Sequence, residues 1–217
     1  MKHSLLSTSV ALVAFALVSC SPNPADDVSQ AEVSDPTESA PAESAPMVEG
    51  TVYTLTADSK LGFVGSKVTG KHEGGFEKFS GSFLVDVANK KLVENGEHTV
   101  EIDMTSTWSD NEKLTGHLKS PDFFDVEKFP TAKFTLSSAV ATDAGYDLSG
   151  NLEFHGVTKG ISFPAMVTVD EDGKTVAVKA DFSINRMDFG VVYPGMTDDL
   201  IREEVVIQFN VVGKPAA

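Results

Sequence analysis

Residues 116–130 read GHLKSPDFFDVEKFP and set one histidine, His117, among charged side chains and three phenylalanines. A histidine can act as a general base when a nucleophile or a polarised substrate lies beside it. The sequence supplies neither, because no Ser-centred elbow occurs and the single cysteine, Cys20, lies far upstream. A hydrogen bond that fixes the surrounding loop is the better role for His117, and no catalytic residue is expected. Metal binding fares no better. His72, His98, His117 and His155 show no i, i+2 or i, i+4 pair, and there is no His-Glu-x-x-His motif and no cysteine pair. Asp198-Asp199 and Glu203-Glu204 read as solvated surface. Neither a metal nor a cofactor is expected. Arg186 and Asp188, in INRMDFG, are of more interest. Arg186 shares the apolar side of its strand with Phe182 and Ile184, and an inward arginine needs a partner. Two partners stay open: an aspartate that closes the end of the fold, or the polar or anionic head of a ligand.

The elements that position these residues are strands. Apolar positions repeat every second residue, the period of a half-buried strand. Phe79, Gly81, Phe83, Val85 and Val87 share one side, with Leu84 the exception. Val100, Ile102 and Met104 form the next set, followed by Phe134, Leu136 and Val140, and by Tyr146, Leu148, Leu152 and Phe154. Ile161, Phe163, Val167 and Val169, then Val176, Val178, Phe182 and Ile184, and finally Val205, Ile207, Phe209 and Val211 complete the pattern. Gly74-Gly75, Glu94-Asn95-Gly96, Asp143-Ala144-Gly145 and Glu171-Asp172-Gly173 mark turns. Asp110–Phe124 and Tyr193–Ile201 lack the alternation and are placed as short helices.

About eight antiparallel strands with one apolar face each make a sandwich or a closed barrel. Several runs reach ten residues, or about 33 Å. A tall eight-stranded barrel is just wide enough to be filled by its own side chains or to hold one small ligand. The pattern alone leaves those two interiors open. Trp108, on the alternation of Val100 and Met104, is placed inward.

Length and charge set the remaining bounds. The chain has 217 residues and a formal charge of −15. Lys2 and His3 precede an apolar run from Leu5 to Val18, too short for the ~20 residues of a bilayer span and typical of a signal peptide. Residues 1–19 are therefore read as a signal. Leu17-Val18-Ser19-Cys20 resembles the lipobox of bacterial lipoproteins, which implies acylation of Cys20, and Ser21 in the following position favours the outer membrane. Residues 20–49 hold five of the ten prolines and seven acidic residues, with no lysine or arginine. Such a segment buries little apolar surface and reads as a disordered tether. The domain of residues 50–217 retains 25 acidic and 16 basic side chains, a charge of −9. That excludes a phosphate-backbone binder, so no nucleic acid is expected.

The runs GHLKSPDFFDVEKFPTAKFTLSS, GNLEFHGVTKGISFP and FSINRMDFGV together resemble the YceI-like family of bacterial envelope proteins, over about residues 51–213. The resemblance implies an all-β, antiparallel, lipocalin-like barrel that holds a long-chain isoprenoid or related lipid, and no catalysis. One departure stands out. Family members often carry an Arg-Asp pair shortly before the His-Leu; here the stretch is Asn111-Glu112-Lys113-Leu114-Thr115-Gly116. The expected ligand-lining residues are Phe83, Trp108, Leu114, Leu118, Phe123, Phe124, Phe134, Leu148, Phe163, Phe182, Arg186 and Phe209. Leu114, Leu118, Phe123 and Phe124 are expected to cover the barrel mouth as a lid. The expected partners are a polyisoprenoid, quinone or fatty-acyl lipid in the lumen and a membrane held through the anchor; pairing of two barrels as a homodimer stays open. The alternatives are an envelope structural or stress-response module with a self-filled core, or an enzyme or electron-transfer accessory acting on a lipid.

Overall fold

The computed structural model describes residues 21–37, 50–93 and 96–216; the signal, Cys20 and residues 38–49 of the expected tether lie outside them. Its strands are β1 (Ser29–Gln30), β2 (Glu32–Ser34), β3 (Thr51–Leu55), β4 (Lys60–Lys67), β5 (Gly70–Phe76), β6 (Phe79–Asp86), β7 (Lys91–Leu92), β8 (Thr99–Asp103) and β9 (Thr107–Ser109). After the helix α1 (Glu112–Lys119) come β10 (Thr131–Thr142), β11 (Gly145–Phe154), β12 (Val157–Val169), β13 (Val176–Asn185), β14 (Gly195–Met196), β15 (Asp199–Leu200) and β16 (Glu204–Pro215).

The barrel is a closed ring of eight strands in the order β3-β6-β8-β10-β11-β12-β13-β16, and β16 returns to β3. Because an antiparallel strand turns successive side chains to opposite faces, the period-two sequence becomes an apolar interior and a polar exterior. The long hairpins β10–β11 and β11–β12 set the register, with Phe134 opposite Leu152 and Leu148 opposite Phe163. β16 is shared lengthwise: Gly213–Pro215 pair with β3, and Val206–Asn210 pair with β4, which starts a flap of β4, β5 and β9.

The structure departs from the sequence reading at three places, each for a local reason. A register shift between Leu136 and Ser138 puts Ala139 in the core and turns Val140 out to 57% exposure. A 3₁₀ turn at Met104–Ser106 resets the phase after β8, so Trp108 is 42% exposed rather than inward. The segment 193–201 forms the small hairpin β14–β15 and not a helix.

The expected tether is corrected over residues 21–37, which are docked on the barrel. β12 and β13 pair only through Met166–Val169 and Val176–Lys179. Beyond that they part, and residues 29–34 fill the seam. β1 runs parallel to β13, β2 runs antiparallel to β12, and the Ala31 amide donates to the Ser183 carbonyl at 2.8 Å. Ala31 is buried in the main core and Val33 packs against it.

The end of the barrel at which β12 and β13 still pair is plugged. Tyr53, Val85, Leu92 and Val176 are fully buried there, and the Tyr53 hydroxyl donates to the Gly173 carbonyl. The opposite end is covered by α1, the turn that follows it and the loop from Arg186 to Glu203.

Candidate functional site

Between those two ends the interior is hollow. Two cavities of about 110 and 170 Å³ lie in line along the barrel, and carbon makes up nearly all of their lining. Leu61, Ile102, Phe182 and Ile207 border both and form a waist between them. The rings of Phe163 and Phe182 stack at 4.1 Å and 8°, and Phe209 meets both edge-on at 5.9 and 6.2 Å. Ile207 and Phe209 point inward yet are only half-buried, because they face empty space and not other side chains.

The first chamber is walled by strands. Phe83, Phe134, Leu148, Phe163, Phe182 and Phe209 all line it, as expected. Two polar residues, His98 and Thr99, join them unforeseen, and His98 is the buried one. Its Nδ1 accepts from the Leu84 amide at 3.2 Å, and its Nε2 therefore carries the proton and donates to the Val93 carbonyl at 2.8 Å. Burial pushes its pKa below that of an ordinary histidine, with the Val93 bond acting the other way. The ring is neutral with both nitrogens occupied, so it presents carbon to the chamber.

The second chamber lies under the cap. Asn111 caps α1 by accepting from the Leu114 amide at 3.1 Å, and Ser120, ahead of Pro121, ends it. The turn after the helix then drives Phe123 and Phe124 inward beside Leu118, and all three line the cavity. Phe124 meets Phe63 edge-on at 6.2 Å and Phe154 at 5.6 Å. Leu114 packs against this cluster without facing the cavity. His117 Nε2 donates to Asp122 at 2.8 Å, and the ring stands edge-on to Phe123 at 4.9 Å and to Tyr193 at 5.0 Å. It pins the helix turn to the cap loop, the fixing role expected of it.

Arg186 also lines the second chamber, and its protein partners are main-chain carbonyls in place of the aspartate expected from the sequence. Arg186 is 5% exposed, and its guanidinium is held by main-chain carbonyls. Nε donates to Arg202 at 3.0 Å, Nη1 donates to Val191, and Nη2 donates weakly to Ile201 at 3.4 Å. Among the described residues no aspartate pairs with it, and Asp188 is exposed. Burial lowers its pKa, which the nearby Glu203 partly offsets. Its bonds tie both ends of the cap loop together, and Gly190, at φ 75°, makes the reversal that brings Val191 to it. Trp108 lines neither chamber. The waist residues Leu61, Ile102 and Ile207 were missed as a set; alternation marks Ile102 and Ile207 as inward but not which residues meet at one height.

Comparison with known proteins agrees with this geometry. Residues 53–213 match the model of the YceI-like domain. The chain belongs to the YceI-like family. A UPF0312 protein of Pseudomonas putida is 33% identical over 142 residues, 62% of this chain and 71% of that protein. The crystal structure of Burkholderia cenocepacia BcnA superposes with a TM-score of 0.63 at 26% identity, covering 72% of this chain and 96% of BcnA. A polyisoprenoid binding domain from Saccharophagus degradans, described as implicated in plant cell wall breakdown, superposes at 0.61 and 19% identity, over 77% of this chain and all of that domain. At that identity the second match bears on the fold alone.

Proposed function

We propose that this YceI-like protein is a lipid-anchored envelope protein that binds one long apolar molecule in its lumen, for sequestration or transfer. The single observation that carries the reading is the hollow itself: two carbon-lined chambers in line, closed at one end by packing and at the other by a cap. The ligand class is a polyisoprenoid, quinone or fatty-acyl lipid, each of them long, thin and apolar like the lumen. Each chamber alone compares with the engineered cavity of about 150 Å³ that binds benzene. A longer chain fills both by parting the waist. Burying about 20 carbons yields a gross gain on the order of 15 kcal/mol, and association returns several kcal/mol of that. Strong binding thus needs no polar motif, consistent with a lumen in which His98 and Arg186 are already engaged. Acylated Cys20 would hold the protein to the periplasmic face of a membrane, with Ser21 favouring the outer one.

The test is export of the full chain in a bacterium that makes isoprenoids and quinones, followed by native mass spectrometry and organic extraction. One apolar molecule per barrel is expected. Repeated recovery of bare protein would favour the structural module.

A further inference from the structure

The side of the cap that faces away from the lumen is unusual for a water-facing surface. Val192, Met196 and Leu200 are 58, 69 and 49% exposed, and Val68 beside them is 38% exposed. The backbone joins these positions into one patch. β14 and β15 pair as a hairpin, and the Val68 amide donates to the Leu200 carbonyl at 3.2 Å. Along this loop the side chains alternate: Val191 and Ile201 line the second chamber, and Val192 and Leu200 face out. The cap is one layer of chain between the chamber and whatever lies outside.

Ser21 identifies what lies outside. Its amide donates to the Val68 carbonyl at 3.3 Å, and its own carbonyl accepts from Arg202 Nη2 at 2.9 Å. The first described residue is thus fixed to the apolar patch, and in the sequence Cys20 immediately precedes it. A diacylated cysteine at that point leaves no slack for a tether, and the cap must rest on the bilayer that holds the acyl chains. We infer that the outer face of the cap, built on Val68, Val192, Met196 and Leu200, is a lipid-docking surface that sets the capped chamber against the membrane. The inference rests on acylation of Cys20 as proposed above.

The contact is apolar and not ionic. Asp199 in the hairpin is engaged by Lys67 and by the Thr69 hydroxyl and amide, Asp198 at the turn stays exposed to water, and among the described residues the patch carries no basic cluster. Zwitterionic lipid is therefore sufficient. The arrangement also gives the ligand a short path, from the acyl phase through a single layer of cap into the second chamber, with no passage through water.

The test uses the acylated full chain in phosphatidylcholine vesicles, with a nitroxide thiol label on Met196→Cys or, as the far-end control, on Met166→Cys, which replaces a side chain 54% exposed at the opposite end of the barrel. Acylated Cys20 is a thioether and takes no label. A label held roughly 5–10 Å below the interface is expected to show an oxygen-to-nickel collision ratio about tenfold above the control. Equal, water-like ratios at both sites on an acylated chain overturn the docking face and leave the anchor standing. A Cys20 that takes the label and lacks acyl mass overturns the anchor, and with it the placement of the cap on the bilayer.

Discussion

The two chambers of the lumen are built in opposite ways. The first is enclosed by long paired strands, so its lining is fixed by a backbone ladder and by facing pairs such as Leu148–Phe163. The second is enclosed on one side by the same strands and on the other by a short helix, a turn and the loop 186–203. Those parts are held by a few side-chain bonds: His117 to Asp122, and Arg186 to the carbonyls of Val191 and Arg202. A ladder opens only cooperatively, whereas a loop held by two or three bonds opens locally at much lower cost. The first chamber is the place to keep an apolar chain, and the second is the place to admit it.

The largest expected effect comes from removing the waist that divides them. Phe182→Ala deletes one ring of the Phe163–Phe182 stack and is expected to cost about 3 kcal/mol, the low end for a buried phenylalanine because empty space already adjoins it. Urea unfolding measures this, and faster uptake of a C20 isoprenol such as geranylgeraniol should accompany it. A loss with no change in uptake would mean the waist is not a barrier. Arg186→Met is expected to cost about 1–3 kcal/mol. It leaves the Val191 and Arg202 carbonyls unpaired, but it also removes a buried charge, which limits the loss. Its signature is regional: amides of residues 190–203 exchange faster, while those of β10–β12 do not. Uniform acceleration would erase the contrast between fixed wall and hinged cap.

The smallest effect is a pH dependence in the first chamber. The folded pKa of His98 is lowered by burial, so below the ordinary histidine value of about 6.5 the unfolded chain takes up a proton that the folded chain refuses. Stability is fully present above that pH and falls as the pH drops below it. Compared with His98→Asn, the native protein is expected to lose stability as the pH falls below about 6.5. Parallel curves for the two proteins would mean that the ring is not held neutral.

The same contrast explains what could be read from the sequence. The strand-built chamber was legible, since alternation alone marks Phe83, Phe134, Phe163 and Phe209 as inward. It misled at Val140, where a bulge adds a residue that alternation does not register, and at Trp108, where a 3₁₀ turn breaks the count. In the capped chamber Phe123 and Phe124 were legible through the helix stop at Ser120-Pro121, but the Arg186 partners were not, since main-chain carbonyls leave no mark on residue type. Residues 21–37 carried the least signal of all. Ala31 and Val33 form one short apolar alternation in an acidic, proline-rich stretch, and the segment is ordered by backbone pairing to the parted edges of β12 and β13.

The decisive measurement is a crystal structure of the chain bound to geranylgeraniol. One continuous isoprenol chain is expected to run through both chambers, with the side chains of Phe182 and Ile207 moved aside at the waist. An isoprenol bound only on the outer surface, or a lumen closed over its whole height by its own side chains at saturating ligand, would contradict it.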